Sequence, residues 1–190
     1  MTPIKYQLLD SLHLPIDAHL MMVVGDLNDN KNVQTIIKAM SMCPKNCHVL
    51  ICGTGPLEQN LRALAIQMKV EGQCHFLGFR SDVKTLLMIC DLFLMVSKRE
   101  GLPRSTMEAM AAGLPCVVSK IRGNVDLIDE GEGGYTIEPN DYEAFAKAIN
   151  KILSDRNLTK RMGDFNKNKI TKFSVDKVKE QVVDLFNELQ

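Results

Sequence analysis

Two glutamates stand close together in the stretch LMVSKREGLPRSTMEAMAAGLPCVVS, which covers residues 94–119. Glu100 lies in a turn rich in glycine and proline, and Glu108 follows in an Ala/Met-rich segment of helical composition. Helical geometry places Glu108 about one and a half turns into a helix that begins near Pro103. Carboxylates accept hydrogen bonds from hydroxyl groups, which suits a sugar or a ribose. The spacing alone favours the simpler interpretation of two acids on a solvated helix.

The start of that helix is suited to an anion. Pro103 has no N–H group and is well tolerated at a first helical position. The backbone amides of Arg104, Ser105 and Thr106 are therefore predicted to be unpaired and to point into the loop, where the positive end of the helix dipole adds to them. Phosphate groups bind at such helix starts. Amides and acids together predict a ligand that is part phosphate and part polyol.

The two glutamates are predicted to lie between buried strands. Residues 92–96 and 116–118 are short apolar runs typical of parallel strands, and Gly113 ends the helix between them. In an open parallel sheet, ligands bind at the loops that follow the carboxyl ends of the strands. The loop that carries Glu100 is therefore the expected site of chemistry.

The rest of the chain alternates strand and helix, which predicts an α/β fold with a doubly wound parallel sheet. Further strands are predicted at residues 19–24, 47–52, 73–77 and 133–137. Helices are predicted to end near Met42, Val70 and Cys90, the last with Ser81 as its N-cap, and to cover residues 124–130, 141–154, 158–169 and 175–189. We expect a lead-in or linker at residues 1–17 with a short helix at 5–12, one domain at 18–170, and a C-terminal helix at 171–190.

Composition excludes several classes of function. With 190 residues, of which 45% are hydrophobic, the chain can bury the core of one domain. Lys plus Arg equals Asp plus Glu at 23 each, so no net charge attracts nucleic acid or an anionic membrane. No apolar run approaches the roughly 20 residues that span a bilayer. The polar start MTPIKYQLLD does not resemble a signal peptide, so a cytoplasmic location is expected.

The cysteines do not predict a metal centre. All six are scattered, at positions 43, 47, 52, 74, 90 and 116, and most lie in apolar segments. They are predicted to be small buried hydrophobic residues in a reducing compartment. Cys43, Cys47 and His48 come nearest to a metal-binding set, but Pro44 and the start of a strand keep them from converging. No metal site is expected.

A second glycine-rich turn, Gly53-Thr-Gly55, follows the strand at residues 47–52. The pattern invites a dinucleotide-binding interpretation, because such turns bring the backbone close to a pyrophosphate. Glu58 occupies the place where that fingerprint requires a third glycine for close helix packing. The dinucleotide interpretation is therefore weak.

The glutamate-bearing segment resembles a known family. Glu100-Gly-Leu-Pro, followed by Glu108-Ala-Met-Ala-Ala-Gly-Leu-Pro-Cys-Val-Val-Ser119, is similar to the signature of retaining GT-B glycosyltransferases of family 4, in which seven residues separate two glutamates. The resemblance continues in Gly53-Thr-Gly55-Pro-Leu and in Asp91-Leu-Phe-Leu-Met-Val-Ser97, and it covers roughly residues 21–153. It implies a Rossmann-like domain, the carboxyl-terminal half of a GT-B enzyme.

The resemblance implies a role for each residue of the expected site. Glu100 would be the catalytic residue that contacts the donor sugar, and Glu108 would hold the ribose hydroxyls. The backbone at residues 101–106 would meet the diphosphate, and the backbone after Gly78 would cradle the base. The residues expected to bind the nucleotide-sugar are Gly25, Lys31, Phe79, Arg80, Gly101, Leu102, Pro103, Arg104, Thr106 and Glu108.

The loop after the first predicted strand resembles the family's first donor loop, where a lysine neutralises the diphosphate. Lys31 fits this role because a cation near a helix start is unfavourable unless an anion is bound there. Considered alone, Lys31 is more simply an exposed lysine. Many family members carry an arginine directly after the glycine, whereas this chain has Asp26. The expected site therefore has less positive charge than in those members, and Lys31, Arg99 or Arg104 would have to supply it.

The resemblance implies transfer of a sugar from a nucleotide diphosphate-sugar to an acceptor, without a metal or other cofactor, in polysaccharide or glycoconjugate synthesis. The acceptor-binding amino-terminal domain would be a separate, missing partner, through which any contact with the inner face of the membrane would be made. The chain alone is then expected to be inactive. Two alternatives remain open: a non-catalytic nucleotide-sugar binding module, and half of a GT-B-like sugar-nucleotide epimerase. The base, the sugar and the acceptor are not indicated.

The last predicted helix carries an apolar stripe. The residues that recur at helical spacing are Val175, Val178, Val182, Leu185, Phe186 and Leu189. Such a stripe needs a covering surface, which is either the chain's own sheet or another molecule. Self-association of the chain through this helix is one expectation.

Overall fold

The structure is a computed structural model that describes residues 2–173. Six strands form one parallel sheet: β1 His19–Val24, β2 Cys47–Cys52, β3 Cys74–Gly78, β4 Leu92–Met95, β5 Cys116–Ser119 and β6 Gly134–Ile137. Their order across the sheet is β3-β2-β1-β4-β5-β6. The chain therefore winds outward from β1 to one edge, returns beside β1 with β4, and winds to the other edge. This confirms the predicted doubly wound α/β fold.

Helices and one short 3-10 turn connect the strands. They are α1 Pro3–Ser11, α2 Gln34–Met40, α3 Glu58–Gln67, α4 Val83–Leu87, α5 Arg104–Ala111, α6 Arg122–Val125, α7 Tyr142–Leu153, α8 Arg156–Ile170 and the 3-10 turn Thr171–Phe173. Within residues 2–173, no helix combines the length and the hydropathy that a bilayer crossing requires. The predicted apolar stripe at residues 175–189 lies outside the described residues.

The core lies on both faces of the sheet. Because successive residues of a strand point to opposite faces, Met21 and Val23 of β1 join one buried cluster and Leu20 and Met22 join the other. The first cluster includes side chains of α2, α3 and α7, and the second includes side chains of α1, α4 and α5. Leu9 of α1 is only 2% exposed. Part of the predicted lead-in thus packs against the sheet.

The strands agree closely with the sequence prediction, and two helices do not. The N-cap position of α4 is Asp82 and not Ser81, and Asp82 makes no capping bond because Arg80 binds its carboxylate at 2.6 and 2.7 Å. Helix α6 begins and ends earlier than the predicted helix at residues 124–130. Asn124 donates from its side chain to the Ser119 carbonyl at 2.9 Å, which draws the helix back towards β5. All six cysteines are buried thiols, as predicted.

Candidate functional site

The loops after β1 and β4 lie side by side at the carboxyl edge of the sheet. These strands are direct neighbours, with Met21 opposite Leu92 and Met22 opposite Phe93. Lys31 in the first loop and Glu100 in the second, 69 positions apart in the sequence, meet with Nζ and Oε1 separated by 2.7 Å. Their side chains are 22% and 15% exposed. The fold thus joins a predicted cation and a predicted acid into one part-buried ion pair.

Further contacts hold these two loops together. The Lys98 amide donates to the Asn30 carbonyl at 2.8 Å, and the Asn30 side chain donates to the Arg99 carbonyl at 3.1 Å. The Lys98 ammonium pairs with Asp29 at 2.7 Å. Both the amide and the ammonium group of Lys98 therefore bind the neighbouring loop. Asp26, in contrast, is exposed and forms no ion pair with residues 2–173.

Glycine at position 25 leaves room for the lysine. A Cβ atom there would lie 2.8 Å from Lys31 Cε, and the φ angle of +150° disfavours other residues. The Gly53-x-Gly55 turn serves a similar purpose for the backbone. A Cβ atom at Gly53 would lie 1.9 Å from the Gly25 carbonyl oxygen, and one at Gly55 would lie 2.5 Å from the Leu27 carbonyl oxygen. These glycines thus let the loops after β1 and β2 pack closely.

Helix α5 begins directly after Pro103 and faces the ion-paired loop. The Arg104 amide donates to the Leu102 carbonyl at 2.9 Å, so the prediction that this amide is free was wrong. The amides of Ser105 and Thr106 donate to no protein acceptor in the part of the chain that the structure describes. Of these two residues only Ser105 is partly exposed, so its amide is the donor that remains for an anion at the positive end of the helix.

The side chain of Thr106 does not reach the site. It is fully buried, and its hydroxyl lies 3.4 Å from Met95 Sδ and 3.4 Å from Asn124 Oδ1. Leu102, in contrast, is 65% exposed. The loop is supported from below by Gly123, where a Cβ atom would lie 2.9 Å from the Gly101 carbonyl oxygen. Because the whole residue is buried, backbone included, Thr106 has no exposed group that a ligand could contact, contrary to the prediction from the sequence.

Glu108 is half-buried on α5 and borders an open groove. The groove has a volume of about 500 Å³ and runs between α4 and α5, with the apolar side chains of Leu87, Met88 and Met107 along it. Glu108 forms no ion pair within residues 2–173. Its carboxylate oxygens are therefore available to accept hydrogen bonds.

Phe79 and Arg80 lie at the far end of the same edge. They follow β3, which β2 and β1 separate from β4 by about 14 Å at the usual strand spacing. Phe79 is 81% exposed. The Arg80 guanidinium hydrogen-bonds both carboxylate oxygens of Asp82, which lowers the pKa of that carboxyl group. The structure thus brings Lys31 and Glu100 together and leaves Phe79 and Arg80 apart from them.

Sequence reasoning missed three asparagines that surround Lys31. Asn28, Asn30 and Asn32 alternate with Asp29 and Lys31 in the first loop. The Asn28 side chain accepts the Lys31 amide at 3.0 Å, and the other two asparagines donate to neighbouring loops. The signal was their clustering around the predicted cation, because asparagine readily bonds to nearby backbone in turns.

The chain is similar to glycosyltransferases along most of its length. It is 28% identical over 190 residues to the putative glycosyltransferase EpsD of Bacillus subtilis, covering 98% of this chain and 50% of EpsD. It is 31% identical over 153 residues to the lipopolysaccharide core biosynthesis glycosyltransferase LpsE of Rhizobium meliloti, covering 80% of this chain and 45% of LpsE. The chain therefore spans about half the length of these curated relatives.

A solved structure shares the fold. HepE of Anabaena in complex with UDP superimposes with a TM-score of 0.90 at 23% sequence identity, covering 99% of this chain and 54% of HepE. The sheet thus shares the Rossmann-like α/β fold of about half of HepE. The profile described as "Glycosyl transferases group 1" matches residues 9–169. The chain belongs to this family, the glycosyl transferases group 1.

Proposed function

We propose that this chain is the donor-binding, carboxyl-terminal half of a retaining glycosyltransferase of family 4, and that it binds a nucleotide diphosphate-sugar at the carboxyl edge of its sheet. The observation that carries the proposal is the 2.7 Å contact between Lys31 and Glu100, in the loop that leads into α5 and its free Ser105 amide. A cation and a carboxylate in contact, followed along the chain by an amide donor at a helix start, suit a ligand that offers both phosphate and hydroxyl groups.

The diphosphate would take up the positive charge of the site. Its oxygens would accept from the Lys31 ammonium and from the Ser105 amide, which the helix holds in place before the ligand arrives. Phosphate then competes with Glu100 for Lys31. The sugar hydroxyls would compensate, because they can donate to the carboxylate that loses its cation. A nucleotide-sugar satisfies both partners of the ion pair, whereas a nucleoside diphosphate satisfies only Lys31.

The remaining residues would bind the nucleoside. Glu108 has free acceptor oxygens for the ribose hydroxyls, and it lies about one helical turn beyond the Ser105 amide that would hold a phosphate. Phe79 and Arg80, farther along the same edge, would flank the base.

Charge on the leaving diphosphate would be offset without a metal ion. Lys31 and the Ser105 amide of α5 would supply most of this stabilisation. Arg99 directly precedes the turn at residues 100–103 and Arg104 directly follows it, and both add positive charge near the site. Asp26 opposes it, because its exposed carboxylate follows Gly25 directly. We expect Glu100 to orient the sugar and to stabilise charge, as positioning and electrostatics require no covalent intermediate.

Transfer to an acceptor would need a second domain. The chain spans about half of the similar glycosyltransferases EpsD and LpsE, and water would fill an open donor cleft. We therefore propose an amino-terminal, acceptor-binding domain as the partner, with polysaccharide or glycoconjugate synthesis as the setting. Because HepE was solved with UDP, UDP is the first nucleotide to test.

Calorimetric titration with UDP, GDP and ADP and with their sugars tests the proposal. One nucleoside diphosphate should bind weakly, and Lys31→Ala and Glu108→Ala should each cost about 1.5–3 kcal/mol of binding free energy, since each removes a charge-assisted contact. Lys160→Ala is the matched control, because Lys160 is also ion-paired but lies on α8. Unchanged affinity in both site variants would refute the site as drawn.

A further inference from the structure

We infer that Asn32 is a positioning residue, a buried strap that holds Lys31 against Glu100 and so presents the ammonium group to the diphosphate. The role towards the ligand rests on the proposed function. The strap itself concerns only contacts within the chain and can be tested without a ligand.

The backbone at Asn32 already restricts which residues can stand there. Its φ angle is +53°, in the left-handed region that glycine and asparagine adopt most readily. Its side chain is nonetheless buried, with 1% of the residue exposed. A loop that needed only the turn could use glycine, so the buried carboxamide calls for a separate explanation.

The carboxamide of Asn32 ties three loops together. Its Nδ2 donates to the Val96 carbonyl at 3.2 Å, to the Pro139 carbonyl at 2.8 Å and to Asn140 Oδ1 at 3.2 Å. Val96 follows β4, and Pro139 and Asn140 follow β6. The loop after β1 is thereby bound to the loops of two other strands at the carboxyl edge.

This strap constrains the backbone next to each partner of the ion pair. Asn32 directly follows Lys31, and Val96 begins the loop that leads to Glu100. A lysine side chain has about 2 kcal/mol of rotamer entropy, so its ammonium stays at one point only if its backbone is fixed nearby. The contacts of Asn30 with the same loop are exposed, whereas the Asn32–Val96 bond is buried and shielded from competition by water.

A second buried asparagine provides a matched control. Asn166 of α8 is also fully buried and donates from Nδ2 to two carbonyls, those of Leu114 at 2.8 Å and Gly133 at 2.6 Å. It ties α8 to the neighbouring backbone of β5 and β6, away from Lys31. Removing its carboxamide should destabilise the fold in a comparable way without touching the ion pair.

A double-mutant cycle tests the strap without a ligand. The coupling between Lys31 and Glu100 is measured as the non-additivity of Lys31→Ala and Glu100→Gln in urea-unfolding midpoints. The cycle is repeated on Asn32→Gly, which keeps the left-handed turn but removes the donors, and on Asn166→Ala. We expect the coupling to fall below half its value with Asn32→Gly and to persist with Asn166→Ala. Equal coupling in all three backgrounds would overturn the inference.

A nucleotide titration separates positioning from mere support of the fold. Asn32→Gly should weaken UDP binding roughly tenfold when Lys31 is present, the size of a lost buried hydrogen bond, and less than twofold in the Lys31→Ala background. Equal losses in both backgrounds would show that Asn32 has only a structural role. If the unaltered chain binds no nucleotide, the proposed function fails and the unfolding cycle still decides the inference. If Asn32→Gly does not fold, Asn140→Ala removes one acceptor at an exposed position and should shift both measurements in the same direction.

Discussion

Two pairs of polar side chains, one beyond the carboxyl edge of the sheet and one between two strands, differ in charge. At the carboxyl edge, Lys31 and Glu100 carry full charges, 2.7 Å apart and partly open to solvent. Between β2 and β3, His48 Nδ1 and His75 Nε2 lie 3.1 Å apart, and burial lowers the pKa of both rings, to about 4 for His75. The first pair keeps its charge where a ligand can replace either partner. The second pair stays neutral in a part-buried contact between two strands.

The comparison distinguishes a binding site from a structural contact. A buried polar pair that serves only the fold is best uncharged, since the free-energy cost of removing two charges from water can exceed the attraction between them. An ion pair at an open edge, held by a buried strap and followed by a free helix amide, costs stability little and leaves charge available.

The largest effect should come from exchanging the two charges. The double substitution Lys31→Glu with Glu100→Lys can preserve an ion pair, so the unfolding free energy should change by less than about 1 kcal/mol. UDP affinity should fall roughly 100-fold, because the diphosphate then meets a carboxylate at the place of the ammonium. Chemical unfolding and calorimetry measure the two quantities. The matching exchange of Lys160 and Asp164 on α8 should affect neither, and retained UDP binding in the site exchange would contradict the account.

The histidine pair should make the fold sensitive to mild acid. The pKa of His75 is about 4 in the folded chain, below its ordinary value of 6.5, first because of burial and second because of His48. In the unfolded chain His75 therefore takes up a proton below about pH 6.5, whereas in the folded chain it does so only below about pH 4. Stability is complete above pH 6.5 and falls as the pH decreases towards 4, by about 1–2 kcal/mol once partial exposure is allowed for.

Urea unfolding between pH 4 and pH 7 measures this loss. His75→Gln should flatten the pH dependence, because the amide cannot take up a proton. His13→Asn is the control, since His13 is exposed and its positive φ suits asparagine. An unchanged slope in His75→Gln would show that other groups cause the acid sensitivity.

A smaller effect is expected from Asp26, the acid that follows Gly25 in the loop that carries Lys31. Asp26→Asn removes one negative charge near the proposed diphosphate without changing the size of the side chain. UDP affinity should rise about two- to threefold, and the gain should shrink as salt is added, because the carboxylate is exposed. Calorimetry at low and high ionic strength measures it. Asp17→Asn, an exposed acid that precedes β1, should have no effect.

The central strands of the sheet could be predicted from the sequence because they are buried on both faces. The bounds of β1 and β2 agree with the apolar runs to the residue, since such strands have little polar sequence within them. The starts of α4 and α6 could not, because side-chain bonds of Arg80 and Asn124 decide them. The bounds of the linker and of the single domain remain predictions.

The candidate site could be predicted residue by residue but not in its connections. Spacing placed Glu100 and Glu108 on one loop and helix, and the family resemblance added Lys31. Neither indicated that Lys31 and Glu100 would touch, because that contact follows from the strand order that places β4 beside β1. Asn32 escaped notice because its bond to Pro139 spans 107 positions, and no local pattern announces such a contact.

The most direct test of the account is the affinity of Glu100→Gln for UDP. If the carboxylate holds Lys31 until a ligand arrives, neutralising it frees the ammonium, and UDP should bind about three- to tenfold more tightly, within the range of exposed to partly buried ion pairs. The gain should vanish when Lys31→Ala is added. Weaker UDP binding in Glu100→Gln, with the fold intact, would show that Glu100 is not a competitor for Lys31 and would contradict the central claim.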